Sequence, residues 1–238
     1  ARGIESIATT PAPRCSTVAE ELTGSQILTI AAEVRALAAT GRPLCNLTVG
    51  DSSPSEFRIP RSLEDGVVNA LRAGQTNYPP SDGIEKLRET IRGFYARRLK
   101  LVYPQSGILV TSGARPAIYA AYRVLVNPGD RVVFPVPTWN NNYYCQLLGA
   151  EQVTVNCGAS TNFQPTATLL RHTLRDARLL ALNSPLNPTG TIFDAETLTE
   201  ICDAVLEENE RREAFGERPL YVMYDQVYWM LTFGGAEH

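Results

Sequence analysis

Apolar residues recur at two different spacings along this 238-residue chain. In the first half, spacings of three and four residues predict a helix that begins near Ser25 and ends before Gly41, and further helices at 60–73 and 84–99. In the second half, short apolar runs alternate with helical stretches. The predicted strands are 108–111, 131–135, 152–155, 179–183 and 220–224, and the predicted helices between them are 116–125, 140–148, 167–176 and 194–212. This alternation predicts crossover units and an α/β fold, a mostly parallel sheet with helices on both faces.

Composition and charge exclude several classes of protein. A net charge of −3 gives no reason to expect nucleic acid or an anionic membrane surface as a partner. No apolar run has the length needed to span a bilayer. Five cysteines, without a C-x-x-C pair, argue against a disulfide framework or a zinc site and favour reduced thiols in the cytoplasm. Only two histidines are present, so metal or triad chemistry based on histidine has little support.

Small residues follow the first predicted strand, in the run Ser112-Gly113-Ala114-Arg115. The carboxyl ends of parallel strands meet at one edge of a sheet, and open α/β folds bind their ligands there. Free backbone N–H groups at the start of a helix bind anions, most often phosphate. The run therefore indicates either a phosphate cradle or an ordinary turn from strand to helix.

Three polar or aromatic side chains follow later strands. Trp139 can be a platform for a planar ligand or a core residue. Asn187, in an Asn-Pro-Thr-Gly turn, can donate to a ligand oxygen or cap its own turn. Asp225 is costly to bury alone, so it either caps a helix or pairs with a cation on a ligand. Together, a phosphate cradle, an aromatic platform, a hydrogen-bond donor and a carboxylate match pyridoxal 5′-phosphate, a phosphorylated hydroxypyridine.

Five sequence blocks support this interpretation. They are Tyr78-Pro-Pro-x-x-Gly83-x-x-x-Leu87-Arg88, Thr111-Ser-Gly-Ala-Arg-x-Ala117, Pro135-x-Pro137-x-Trp139, Asn183-x-Pro185-x-Asn187-Pro-Thr-Gly190 and Tyr224-Asp225-Gln226-Val227-Tyr228. In this order they resemble the aspartate aminotransferase superfamily, the class I and II aminotransferases of fold type I. The resemblance extends from about residue 26 to residue 238.

The resemblance implies a three-layer αβα major domain of the kind found in pyridoxal phosphate-dependent transferases. We expect that domain over residues 59–238, incomplete at its C-terminus. Residues 25–58 would supply a helix and a substrate loop to a smaller domain, and residues 1–24 would form an N-terminal arm.

The resemblance also assigns roles around the cofactor. Gly113, Ala114 and Arg115 would hold the phosphate at a helix start. Trp139 would stack on the pyridine ring. Asp225 would pair with the ring nitrogen and keep it protonated, so that the ring can accept electrons from the substrate.

Four further residues complete the expected site. Asn187 and Tyr228 would hydrogen-bond the 3′ oxygen of the ring. Tyr78 would reach the phosphate of the neighbouring subunit, which implies a homodimer with shared active sites. Gly50 would lie beside the substrate carboxylate.

The sequence also departs from the family pattern. Gln226 stands where the family usually has Glu, and Asn142 replaces a tyrosine that many relatives have, with Tyr143 after it. The family's Schiff-base lysine is expected beyond Asp225, and neither Lys86 nor Lys100 has a matching context. We therefore expect an N-terminal portion of a longer enzyme.

The expected reaction of the full-length enzyme is transamination between an L-amino acid and a 2-oxo acid. Three alternatives stay open: a carbon–sulfur β-lyase or another enzyme acting at Cα on the same fold, a non-catalytic regulatory domain that binds pyridoxal phosphate, and an inert fragment.

Overall fold

The computed structural model describes residues 15–22, 24, 26–48, 50 and 53–235. The chain divides into two compact units, residues 1–108 and residues 109–238. Most of the expected N-terminal arm lies outside the described residues. Its described part contains a short helix, α1 (Thr17–Glu21), whose first turn is capped by the Ser16 hydroxyl. The expected domain boundaries at residues 24 and 58 stay predictions.

The first unit contains the three helices that its apolar spacing predicts. They are α2 (Gln26–Ala39), α3 (Arg61–Arg72) and α4 (Glu85–Leu99). The guanidinium of Arg88, on α4, forms an ion pair with Asp82 and donates to the carbonyl oxygens of Gln105 at 2.7 Å and Ile108 at 3.0 Å. This one side chain therefore ties the loop before α4 to the segment that leads into the second unit.

The second unit is built on a four-stranded parallel sheet. The strands are β1 (Arg131–Val136), β2 (Glu151–Asn156), β3 (Ala177–Asn183) and β4 (Tyr221–Asp225), in the spatial order β2-β1-β3-β4. The helices of this unit are α5 (Ala114–Leu125), α6 (Asn141–Leu148), α7 (Ala167–Leu174) and α8 (Ala195–Ala214). The predicted α/β class and parallel sheet are confirmed.

Two hydrophobic layers cover the two faces of the sheet. Successive side chains of a strand point to opposite faces, so β1 and β3 serve both layers. On one face, Phe134 and Leu179 pack with residues of α5 and α6. On the other face, Val133 and Leu180 pack with residues of α7 and α8. Every residue of β3 except Arg178 is buried, as its apolar run predicts for an interior strand.

The strand predicted at 108–111 is wrong. In this segment the Ile108 N–H returns to the Gln105 carbonyl, and the Ile108 carbonyl accepts from Arg88. None of the four strands of the described sheet pairs with the segment. A β-branched apolar run becomes a strand only when another strand satisfies its backbone, which periodicity along the chain cannot reveal.

Candidate functional site

A cavity of about 250 Å³ lies in the second unit, at the carboxyl edge of the sheet. It is bordered by the ends of β3 and β4, the start of α5 and the first turns of α6. The lining residues are Ala114, Arg115, Ile118, Trp139, Asn141, Tyr144, Leu182, Asn183, Asn187, Met223, Asp225, Val227 and Tyr228. The structure thus brings together six of the nine predicted site residues, and a seventh, Gly113, directly precedes Ala114.

The start of α5 is suited to an anion. Gly113 is its N-cap residue, with φ 97°, a backbone conformation that residues with a Cβ rarely adopt. Among the described residues no side chain caps the helix, and apart from residues 112–114 no atom lies within 4 Å of the position where a Cβ would stand. No described side chain therefore caps the N–H groups of Ala114 and Arg115 at the positive end of the helix dipole, and the exposed cation of Arg115 lies in the same turn.

Asp225 is the last residue of β4, and its carboxylate is half-buried against the cavity. Burial raises the pKa of this carboxyl group above its ordinary value, and the hydrogen bond from the Val227 N–H opposes the shift. Within the described parts of the chain, no Lys or Arg side chain forms an ion pair with it. A carboxylate in this position fits a ligand that carries a cation.

The turn after β3 brings Asn187 next to Tyr228. The side-chain nitrogen of Asn187 lies 3.5 Å from the Tyr228 hydroxyl oxygen, so two polar groups face the same part of the cavity. The turn is closed by hydrogen bonds from the Gly190 N–H to the Leu186 carbonyl at 2.7 Å and from the Leu186 N–H to the Thr191 carbonyl at 2.8 Å. Its geometry holds Asn187 at the edge of the sheet.

The wall that carries Trp139 is fixed by a buried hydrogen bond. Tyr122, fully buried, donates its hydroxyl to the Asn141 side-chain oxygen at 2.9 Å, and Asn141 donates to the Thr138 hydroxyl at 3.3 Å. Burial raises the pKa of Tyr122 far above its ordinary value, which keeps this donor protonated. The Tyr122 ring also packs on Tyr144, with ring centroids 5.2 Å apart.

Sequence reasoning missed two residues of this wall. It emphasised Asn142 and Tyr143, whereas Asn141 and Tyr144 line the cavity. Positions 141 and 144 are three residues apart on α6 and so share one helix face, while Asn142 is exposed. Knowing that α6 begins at Asn141 would have shown which residues of α6 share the face towards the cavity. The polar run around residue 140 does not show at which residue the helix begins.

Gly50 and Tyr78 belong to the first unit, and their expected roles stay predictions. Both are exposed, and Tyr78 fully so. The two lysines of the chain, Lys86 and Lys100, are exposed at the two ends of α4. The Lys100 ammonium donates to the Arg97 carbonyl at 3.2 Å.

Comparison with known proteins gives the family. Residues 43–234 match the family model described as aminotransferase class I and II. The chain belongs to this family. Members of the class I and II aminotransferases depend on pyridoxal phosphate, so the cofactor expected from the strand ends is confirmed at the level of the family. In the part of the chain described by the structure, no helix is long and apolar enough to cross a membrane.

The relatives of this aminotransferase chain include aspartate aminotransferases. Those of Bacillus sp. (strain YM-2) and Geobacillus stearothermophilus are 30% and 32% identical to it, each over 91% of the chain. The solved structure of the Thermus thermophilus aspartate aminotransferase with maleate superposes with a TM-score of 0.84 at 25% identity, over 94% of this chain and 56% of that one. The chain spans about half the length of the curated relatives it matches, 53% and 52% for the two above.

The chemistry of the cavity fits the family's cofactor. The uncapped helix start and Arg115 suit its phosphate, and the carboxylate of Asp225, which forms no ion pair with any described residue, suits its ring nitrogen. Trp139 offers the planar face that a pyridine ring requires. The pair of Asn187 and Tyr228 offers donors for a phenolic oxygen.

Proposed function

We propose that the full-length protein is an aminotransferase that moves the amino group of an L-amino acid to a 2-oxo acid. One observation carries the proposal: the half-buried Asp225, without a cationic partner among the described residues, shares a cavity with the uncapped start of α5. A carboxylate and an anion site in one cavity match a ligand with a cationic ring and a phosphate. When bound, pyridoxal phosphate supplies an electron sink for chemistry at the substrate Cα.

The residues around the cavity have separate roles in this proposal. The backbone N–H groups of Ala114 and Arg115 and the Arg115 guanidinium would bind the phosphate, and Gly113, whose own N–H donates to the Thr111 carbonyl at 2.8 Å, would let it approach the helix start. Asp225 would face the ring nitrogen and favour its protonated form, because the carboxylate charge is unfavourable in a half-buried site unless a cation faces it. Trp139, which lines the cavity, would cover one face of the ring and exclude water from it.

The remaining contacts orient the ring and complete the site. Asn187 and Tyr228 would donate to the 3′ oxygen, and their 3.5 Å approach supports a shared target. We also propose that Tyr78 contributes to the site of a partner subunit in a homodimer, and that Gly50 lies beside the substrate carboxylate. The resemblance and the exposure of both residues support these assignments.

Aspartate is the amino donor to test first, since the relatives named above are aspartate aminotransferases. The full-length protein, purified and loaded with pyridoxal phosphate, is incubated with aspartate and a panel of 2-oxo acids. Formation of the matching amino acids is followed by chromatography. We expect amine transfer that depends on the 2-oxo acid.

The same preparation separates the alternatives. A carbon–sulfur β-lyase would release ammonia and pyruvate from a sulfur-containing amino acid without any 2-oxo acid. A regulatory domain would bind the cofactor and turn over neither mixture. Either result contradicts the proposed transamination.

A further inference from the structure

Asn183 is a buried amide that joins two groups of the candidate site. It is the last residue of β3 and only 6% exposed. Its side-chain oxygen accepts from the Asn187 N–H at 2.9 Å. Its side-chain nitrogen donates to the Asp225 carbonyl oxygen at 2.9 Å. One side chain therefore bonds both the turn that carries Asn187 and the strand end that carries Asp225.

The position of this amide in the sheet explains its effect. Asn183 and Asp225 are the last register pair of β3 and β4. Beyond this pair the ladder ends, although the Ser184 N–H still reaches the Asp225 carbonyl at 3.1 Å. Without the Asn183 side chain, the Asn187 N–H would lose its bond and the Asp225 carbonyl would keep only one donor. The two backbones could then separate or rotate independently.

We propose that Asn183 is a positioning residue that sets the spacing between the Asp225 carboxylate and the Asn187 amide. This spacing decides whether one cofactor ring can meet both groups, at its nitrogen and at its 3′ oxygen. The inference rests on the proposed function and adds to it a residue that acts through two others.

The chain contains a matched control for this amide. Asn209, on α8, also bonds backbone with both ends of its side chain: its nitrogen donates to the Leu220 carbonyl at 3.0 Å, and its oxygen accepts from the Leu220 N–H at 2.8 Å. Leu220 directly precedes β4, so this amide braces the opposite end of the same strand. Asn209 does not line the cavity.

The experiment compares Asn183→Ala with Asn209→Ala in the full-length protein. Three quantities are measured: the melting temperature, the dissociation constant of pyridoxal phosphate from the apoprotein, and the pH midpoint of the visible absorption of the bound cofactor. Both variants should lose a similar amount of thermal stability, since each loses two hydrogen bonds to backbone. Only Asn183→Ala should weaken cofactor binding, by about tenfold or more, because binding must then also fix the spacing of two backbones that the amide no longer holds. Only it should shift the absorption midpoint, because only it displaces Asp225 from the ring nitrogen.

The possible outcomes distinguish a failure of the positioning role of Asn183 from a failure of the proposed function. If the wild-type protein binds no pyridoxal phosphate, the proposed function fails. If the wild type binds it and Asn183→Ala matches Asn209→Ala in affinity and in absorption midpoint, the positioning role fails while the proposed function stands. Should Asn183→Ala not fold, the milder pair Asn183→Ser and Asn209→Ser is compared by the same criteria.

Discussion

Replacing Asp225 with asparagine tests the charge at the centre of the site. The substitution keeps the size and shape of the side chain and removes its negative charge. Its effect depends on whether a cation faces the residue. Without the cofactor, Asp225→Asn removes a half-buried charge that lacks a cationic partner in the described structure. With the cofactor, it removes one partner of a charge pair.

The size of the cofactor effect follows from the burial of Asp225. Removing one partner of a fully buried, hydrogen-bonded charge pair costs about 2–5 kcal/mol. Asp225 is half-buried, so solvent screens part of the interaction and the lower end, about 2–3 kcal/mol, applies. At about 1.4 kcal/mol for each factor of ten, pyridoxal phosphate should bind about 30- to 150-fold more weakly to Asp225→Asn.

The apoprotein should respond to the same substitution with the opposite sign. Burial raises the pKa of Asp225 in the folded state above its value in the unfolded chain. The folded state therefore keeps its proton to higher pH, and the wild type loses stability as pH rises from the unfolded pKa through the folded pKa. Asp225→Asn has no such loss. It should be more stable than the wild type at neutral pH, and this advantage should disappear on acidification below the ordinary range of a carboxyl group.

Both effects can be measured on the full-length protein. Fluorescence titration gives the affinity for pyridoxal phosphate, and thermal unfolding of the apoprotein at acidic and neutral pH gives the stability. Asp194→Asn is the control, since Asp194 is an exposed carboxylate that caps α8 and asparagine caps helices equally well. Cofactor binding by Asp225→Asn within about threefold of wild type would contradict the charge pair. An Asp225→Asn apoprotein that is less stable than wild type at neutral pH would contradict the unfavourable burial of the charge.

Three further predictions concern the surroundings of the cavity. Gly113→Ala should cost about 1–3 kcal/mol in unfolding free energy, because φ 97° with ψ 170° is a conformation almost exclusive to glycine, and it should weaken phosphate binding. Unchanged affinity in a cofactor titration would contradict the phosphate cradle. Arg212→Met should cost about 3–5 kcal/mol in urea unfolding, because it removes a buried guanidinium that pairs with Glu208 and donates to the carbonyls of Leu174, Arg175 and Arg218, and a loss below about 1 kcal/mol would contradict this. Burial raises the pKa of the Glu208 carboxyl group, but hydrogen bonds from Arg211 and Arg212 outweigh burial and lower it. The stabilisation by this ion pair is therefore present at neutral pH and lost as the pH falls through the pKa of Glu208 in the folded state. Tyr144→Phe should change KM and leave the melting temperature nearly unchanged, since the Tyr144 side chain lines the cavity. A lower melting temperature with an unchanged KM would show that the hydroxyl has a structural role instead.

The spacing of apolar residues was sufficient to predict most helices and strands of the second unit, because helices and interior strands each have a characteristic local sequence pattern. The buried run at 179–183 predicted β3 without knowledge of its neighbours, and Asp194 marked the start of α8. The failure at 108–111 has a different origin. Its sequence is as apolar as that of a strand, but pairing depends on a distant segment, and in this structure the backbone groups of Ile108 bond to Gln105 and Arg88.

The candidate site was predictable to the extent that parallel topology gathers strand ends. Trp139 and Asn187 follow two different strands and Asp225 ends a third, and the structure places all three around one cavity. Asn141 could not be found in the same way. Its contribution depends on where α6 begins and on a buried hydrogen bond from Tyr122, and neither is encoded by a local spacing.

Asn183 shows why such residues escape motif-based prediction. It stands four positions before Asn187 in the same motif, and the two side chains are chemically identical. Both line the cavity, but they differ in burial and in their partners: the Asn187 side chain lies beside Tyr228, and the more buried Asn183 side chain bonds the backbone of Asn187 and Asp225. At the carboxyl edge of a parallel sheet the ladder ends, and the last backbone groups still need partners. A side chain that satisfies them also fixes the separation of the residues they belong to. The edge that binds ligands in α/β proteins is therefore also the edge where side chains must brace the backbone, so part of the geometry of a site is set by residues that need not touch the ligand.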